Sequence, residues 1–222
     1  MSLGARLQAI VALVPLGSSI ADVGSDHAAV PLALFQQGSI AFAECIENKK
    51  GPYERMKRAL TKLEPNCSYL ASLSDGLKDT DPRIDCAILA GLGGELIASI
   101  LRRDLPSHPN IKTIVIDPHS ERPSAYRALM ELGYKEERSV SLVEADHYYE
   151  VSRWIKVPTA VPYTDQQIAF GPLPLAEKPL EWCRYWEKEA ERLREIENSL
   201  GDEQAKKAQL EERISHIDEA LK

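Results

Sequence analysis

Ser19-Ile20-Ala21-Asp22-Val23-Gly24-Ser25-Asp26-His27-Ala28 is the stretch whose reading decides the fold. Ser19 to Val23 is a short apolar strand that ends at Asp22 and Gly24, and the spacing that follows predicts a helix from about His27 to Gln37, closed by Gly38. A strand that runs through a glycine turn straight into a helix is the opening of a βαβ unit. Gly24 permits close backbone approach to a ligand, and the helix start offers N–H donors that the helix itself cannot satisfy. Taken alone, the loop reads equally well as an Asp-capped helix start after a glycine turn.

The pattern repeats outward from that stretch. Ahead of it, Leu3 to Val14 has helical spacing and stops near Pro15 and Gly17. After it, Ser39 to Ile46 reads as a strand, and Pro52 lies in the first turn of a helix that runs to about Leu63. Cys67 to Leu73, Ile84 to Ala90 and Ile111 to Asp117 read as further strands, with helices from about Glu95 to Arg102 and from about Pro123 to Leu132. Arg138 to Val143 and Tyr148 to Val157 are consecutive strands joined by Glu144-Ala145-Asp146. Strands alternating with helices imply a parallel α/β sheet, and the last pair implies an antiparallel hairpin at its edge. That layout resembles a Rossmann-like methyltransferase sheet.

Between Val157 and Pro174 the prolines and Gly171 predict an irregular linker. Beyond it two amphipathic helices are expected. One carries Trp186, Leu193 and Leu200 at heptad spacing with Ile196 beside them; the other carries Leu210, Ile214, Ile217 and Leu221. Gly201 and Asp202 supply a stop and a new N-cap between them. The expected organisation is therefore a sheet domain over residues 1–160, a linker over 161–175 and an antiparallel coiled-coil hairpin over 176–222.

Composition narrows the function. The 222 residues carry a formal net charge of −7, which excludes a protein that holds nucleic acid by bulk charge. RNA contact would rest on local patches such as Lys49, Lys50, Arg55, Lys57 and Arg58, or Arg102 and Arg103. No apolar run is long enough to span a bilayer, and no secretory leader is evident. The four cysteines lack metal-ligand or redox spacing, so a cytoplasmic protein with reduced thiols and no metal is expected.

In an open parallel sheet the ligand sits beyond the carboxyl ends of the strands. Three such ends carry acidic or glycine signals: Asp22-Val23-Gly24-Ser25-Asp26-His27, Glu47, and Ser74-Asp75-Gly76. Asp22 and Asp26 would repel a pyrophosphate, and no GxGxxG is present, which disfavours a nicotinamide-dependent oxidoreductase. The same carboxylates suit the ammonium and sulfonium charges of S-adenosylmethionine. Glu47 can accept hydrogen bonds from ribose hydroxyls, and Asp75 with Gly76 can meet the adenine amino group. Ala90-Gly91-Leu92-Gly93-Gly94 leaves room for two ligands to meet, and Asp117-Pro118-His119 is a polar turn on the same edge.

These residues resemble the TrmK family of bacterial tRNA (adenine-22) N1-methyltransferases. The resemblance runs along the whole chain, strongest at Asp22 to Ala28, Gly51-Pro52, Ala90 to Ile97 and Phe170-Gly171-Pro172. It implies S-adenosylmethionine bound by Asp22, Gly24, Asp26, His27, Glu47, Asp75 and Gly76, and Ser25, Ala90 and Gly91 in the same strand-end loops are further cofactor candidates. It further implies tRNA as the partner, docked with help from the helical hairpin. Asp26, His27, Asp117 and His119 are the candidate catalytic group, and Arg6, Gly93 and Gly94 the candidate substrate contacts. Departures from the family pattern are Ala29 in place of a tyrosine, Asp117-Pro118-His119 in place of Gln-Pro-Asn, and Cys45-Ile46-Glu47-Asn48-Lys49 in the second strand. The aromatic at 29 that could stack on a flipped base is absent. Two rival readings follow: a methyltransferase with another acceptor, and a non-catalytic binding protein that keeps the fold.

Overall fold

The computed structural model describes residues 3–159, 161–200 and 204–222. Its seven strands are β1 (Ser18–Val23), β2 (Ile40–Glu47), β3 (Tyr69–Leu73), β4 (Cys86–Gly93), β5 (Thr113–Ser120), β6 (Tyr134–Glu144) and β7 (His147–Lys156). They form one sheet in the order β3-β2-β1-β4-β5-β7-β6. Five strands are parallel; β7 joins β5 antiparallel and pairs with β6 as a hairpin. Ala145 and Asp146 both have positive φ, the backbone that a two-residue hairpin turn demands. β1 is paired with β2 on one side and β4 on the other, so the winding direction reverses there. A crevice opens at such a reversal because the connections on its two sides leave in opposite directions.

The helices coat both faces. α1 (Ala5–Leu13), α2 (Ala29–Gln36) and α3 (Lys50–Leu60) cover one with Ile10, Leu34, Met56 and Leu60. α4 (Gly94–Asp104) and α5 (Arg122–Glu131) cover the other with Ile97, Leu101, Ala125 and Leu129. Central strands buried on both faces read as continuous apolar runs, as Ala87-Ile88-Leu89 and Ile114-Val115-Ile116 do.

The expected linker is not irregular. It contains α6 (Asp165–Phe170) and α7 (Pro172–Glu177), which adjoin across Gly171. Thr164 and Gln167 form a reciprocal capping box, and Pro172 stands at the first position of α7. Prolines that punctuate a chain also start helices, because the first turn needs no proline N–H. Ile168 packs into the core under α5, and Phe170 packs against the hairpin.

That hairpin is α8 (Leu180–Ser199) against α9 (Gln204–Leu221). Its buried seam is Trp182, Trp186, Ala190 and Leu193 facing Ile214, Ile217 and Ala220. Trp186 and Leu193 keep the expected heptad step, and Leu210, Ile214, Ile217 and Leu221 all join the same cluster; Leu200 is the C-cap of α8 and Ile196 is exposed, so the α8 side of the seam ends at Leu193. The expected stop and cap at Gly201 and Asp202 lie outside the described residues.

A polar cluster fastens α8 to the sheet. Tyr148 of β7 stacks on Tyr185 with centroids 4.2 Å apart, and the Arg122 guanidinium lies 5.1 Å from the first ring and 5.4 Å from the second. The buried Glu150 accepts hydrogen bonds from Tyr126 at 2.5 Å and Tyr148 at 2.8 Å. The hydrogen bonds lie within the sheet domain, and α8 joins the cluster through the Tyr185 ring.

At the start of α4, Gly94 packs against the main-chain carbonyls of Ser120 and Glu121, where a Cβ would collide with backbone. Gly94→Ala is expected to destabilise the fold by about 2 kcal/mol or more, from overpacking that no side-chain movement can relieve. The shift of the urea unfolding midpoint measures it.

Candidate functional site: a cleft at the strand reversal

The carboxyl ends of β1, β2 and β3 and the first turns of α4 enclose a cleft of about 320 Å³. Gly24, Asp26, Glu47, Asp75, Gly76 and Leu92 are among its walls. Backbone bonds draw the strand ends together. Gly24 and Ser25 donate to the Ile46 carbonyl, and Ser74 donates to the Glu47 carbonyl.

Asp22 and Glu47 are both buried at this edge. Asp22 Oδ2 accepts the Ser25 hydroxyl at 2.5 Å, while Glu47 Oε1 accepts the Asp26 N–H at 2.6 Å. Burial raises the Asp22 carboxyl to about 6; the Ser25 hydrogen bond opposes the rise and the Glu47 charge adds to it. Two neighbouring carboxylates with little water are a poor arrangement for an empty protein and a good one for a cationic ligand. The loop itself is strained. Asp26 and Ala28 have φ of 39° and 52°, a left-handed backbone that L side chains adopt at a cost of about 1–2 kcal/mol per residue. Glu47 holds the first of them by its amide.

The other candidates in this loop face the surface, with His27 Nε2 3.5 Å from Asp26 Oδ2. Asp26 reaches across the cleft mouth to α3, where Arg55 Nε lies 2.9 Å and Arg55 Nη2 2.7 Å from its Oδ1. His27 turns outward: its side chain is 70% exposed, and it borders a different, apolar groove floored by Leu32, Phe35 and Leu63. Ala29, where the family resemblance leads one to expect a tyrosine, borders the same groove. Asp75 stands at the far wall of the cleft, bonded to Arg103 of α4.

Across the reversal, β4 and β5 present a second cluster. Asp117 is fully buried and Arg6 of α1 donates to its Oδ2 from Nε at 2.5 Å; Oδ1 has no partner among the described residues. Arg6, expected from sequence to meet a substrate phosphate, is thus tied to Asp117 and lies over the Tyr149 ring at 5.3 Å. His119 Nε2 is 3.9 Å from the same Asp117 oxygen, and its ring meets the Tyr149 edge at 5.9 Å. Gly91 adjoins this cluster, for a Cβ there would sit 3.1 Å from Arg6 Nη2. Gly93 and Ala90 pair with β5 on the same strand, and Gly94 opens α4. Structure therefore joins Arg6, Gly91, Asp117 and His119 in one cluster at the ends of β4 and β5, leaves Asp26 at the mouth of the first cleft, and leaves His27 outside the lining of that cleft.

Sequence reading missed Tyr149, and it placed Arg55 and Arg103 only in basic patches for RNA, not as the partners of Asp26 and Asp75. Each approaches from a helix face or a distant hairpin, so no local motif marks it. A second groove, about 540 Å³, runs from His119 and Arg122 to Arg213 and His216 of the hairpin, with Tyr148 and Tyr185 on its wall. Among the described residues no group of three or more His, Cys, Asp or Glu side chains could hold a metal, and no helix is long and apolar enough to cross a membrane.

A methyltransferase-domain family model matches residues 3–152, and the chain belongs to that family. Among proteins with assigned activity it is similar to the tRNA (adenine(22)-N(1))-methyltransferase of Bacillus subtilis, 29% identical over 152 residues. That alignment spans 68% of this chain and 64% of the Bacillus protein. The structure of Streptococcus pneumoniae Sp1610, a candidate tRNA (m1A22) methyltransferase in complex with S-adenosyl-L-methionine, matches over the whole of both chains with 27% identity and a TM-score of 0.88. A protein of the NADB-Rossmann superfamily from Streptococcus agalactiae matches with 29% identity and a TM-score of 0.90, over 100% of this chain and 98% of that one.

The Asp22 environment sets a pH dependence. The folded chain holds this proton more tightly than the unfolded one, whose carboxyl has the ordinary value of 3.8. Ligand-free stability therefore falls as pH rises from about 4 to about 6, while affinity for a cationic ligand rises through about 6. Asp22→Asn is expected to raise the melting temperature of the ligand-free protein near pH ~8, with the gain shrinking toward pH ~4. The same change flattens the pH dependence of S-adenosylmethionine affinity and weakens it about tenfold, as calorimetry across pH would read.

Proposed function

We propose that the chain is an S-adenosylmethionine-dependent methyltransferase acting on N1 of an adenine in tRNA. One juxtaposition carries the reading: Glu47 and Asp75 line a cleft at the strand ends, Asp22 is buried close enough to Glu47 to feel its charge, and the Arg6–Asp117–His119 cluster stands across the strand reversal. The full-length likeness to Sp1610 and the similarity to the Bacillus enzyme support the cofactor and the acceptor class.

The cleft fits the cofactor by its donor set. Asp22 offers a buried negative charge for an ammonium, Glu47 retains an oxygen beyond the one that holds the Asp26 amide, and Asp75 retains one beyond its Arg103 bond. When bound, S-adenosylmethionine supplies an electrophilic methyl carbon on a positively charged sulfur. The remaining work is positioning and charge. Adenine N1 carries a lone pair, so no residue need remove a proton before the new N–C bond forms; the ring gains a positive charge as the sulfur loses its own. Asp117 supplies negative potential for that charge, and its bond to Arg6 keeps it in one orientation. Tyr149, half-buried beside His119 and Arg6, offers an aromatic face on the acceptor side in place of the one missing at Ala29. N1 is engaged inside a paired helix, so the base must leave the stack to reach this point.

For tRNA to deliver a base there, its backbone must pass a surface with some positive charge. The groove between His119 and the hairpin offers Arg213, which also pairs with Glu189, beside the mostly buried Arg122, within an otherwise acidic protein. Local charge of this kind gives modest, salt-sensitive affinity.

The decisive experiment incubates the protein with labelled S-adenosylmethionine and an unmodified tRNA transcript, followed by nucleoside analysis. Labelled 1-methyladenosine is expected; transfer to a different nucleoside, or none, overturns the reading. Asp117→Asn is expected to lower kcat about tenfold to a hundredfold with cofactor affinity unchanged. Arg213→Glu is expected to raise KM for tRNA about fivefold, with a shallower salt dependence and unchanged kcat.

A further inference from the structure

The far wall of the cofactor cleft is built differently from the near wall. Asp22 and Glu47 are buried and held from within the sheet, whereas the Asp75 side chain is 61% exposed on the loop after β3. An exposed aspartate on a loop samples several rotamers, and a hydrogen bond that depends on one of them loses affinity to that freedom. Here a single guanidinium removes the freedom. Arg103 of α4 donates from Nη1 to Asp75 Oδ2 at 2.8 Å and from Nη2 to the Asp75 main-chain carbonyl at 2.7 Å. The other edge of the same planar group is held by Asp104, with Nε 2.7 Å from Oδ1 and Nη2 2.9 Å from Oδ2.

Asp104 is itself buried, and its Oδ2 also accepts the Leu77 N–H at 2.8 Å. The loop is thereby grasped on both sides of Gly76. That residue has φ of +71°, and a Cβ there would lie 2.6 Å from Arg103 Nη2 and 2.7 Å from Asp104 Oδ2. A lone exposed ion pair would count for little. A rigid fork bonded to a side chain, a main-chain carbonyl and a buried carboxylate is a different object, because moving any one bond breaks the others. Asp75 Oδ1 is left without a protein partner among the described residues, on a side chain that lines the cleft.

We propose that Arg103 is a positioning residue for the purine of the cofactor: it holds Asp75 so that one carboxylate oxygen is presented to the exocyclic amino group of adenine. The inference rests on the cofactor reading above and deepens it. Its chemical consequence is selectivity. A 6-amino purine places an N–H donor opposite Asp75, whereas a 6-oxo purine places a second acceptor there, and two acceptors with no proton between them repel. A site built around such a bond rejects the analogue that cannot make it, provided the bonding group cannot swing away. Arg103 supplies that proviso. It touches neither the reacting carbon nor the acceptor base, so its effect belongs to cofactor affinity and leaves turnover at saturation alone.

The test measures binding of S-adenosylhomocysteine and its deaminated counterpart S-inosylhomocysteine by calorimetry, for the unaltered protein, Arg103→Met and Arg103→Lys. The unaltered protein is expected to prefer the adenosyl ligand by about tenfold or more. Arg103→Met should reduce that preference to about twofold or threefold by weakening the adenosyl ligand alone, with Arg103→Lys between them. In the methyl-transfer assay, KM for S-adenosylmethionine should rise in Arg103→Met and kcat should hold. A variant that melts earlier yet keeps the full preference would reduce Arg103 to a structural clamp and overturn the proposal. Equal binding of both ligands by the unaltered protein would overturn it while leaving the cofactor reading intact. Binding of neither would defeat the cofactor reading itself, and the proposal with it. Should Arg103→Met fail to fold, Arg103→Lys carries the same comparison.

Discussion

The architecture turns on one electrostatic constraint: Asp22 and Glu47 lie buried together at the ends of adjacent parallel strands. Neither can be moved to solvent without pulling β1 or β2 out of the sheet. The ligand-free protein therefore carries two desolvated acids, one of them raised to about 6. It carries a backbone cost as well, since Asp26 and Ala28 are left-handed residues without the freedom of glycine. Both costs are offset if the cleft exists to take a cation. The sheet order supplies the location, because β1 is the strand at which the winding reverses and the connections on either side diverge.

A division of charge follows across the reversal. On the β1–β3 side the buried Asp22 and Glu47 have no ion pair among the described residues, while Arg55 and Arg103 hold the more exposed Asp26 and Asp75. Across the reversal Arg6 already pairs with Asp117, with Tyr149 and His119 packed beside the pair. On the first side the buried acids carry negative charge, and on the second acid and base are paired. The helical hairpin is held next to that second side by the Tyr148–Tyr185 stack, Arg122 and Glu150.

The α/β alternation was legible in the chain because period is a local property. Apolar runs for central strands and three-to-four spacing for helices survive in any tertiary setting, and strand ends such as Val23 and Leu73 stand where the pattern places them. Boundaries were less legible. The sequence reading begins β6 at Arg138, yet it starts at Tyr134, because a bulge after Glu136 lets the strand continue beside β7. The stretch around Pro162, Pro172 and Pro174 reads as a linker since proline is a breaker in isolation; α6 and α7 form because Ile168 and Phe170 find cores to enter.

By itself the sequence determined the sheet class, the terminal hairpin, and the acids at three successive strand ends, for these depend on residue type and short spacing. Only the tertiary structure decided which of those acids share a cleft. It paired Asp26 with Arg55 and Asp117 with Arg6, faced His27 outward, and brought in Tyr149 and Arg103 from remote parts of the chain. The physical reason is that a side chain's charge and reach are local, whereas its partner is chosen by how the helices cross the sheet. No window of neighbouring residues contains that information.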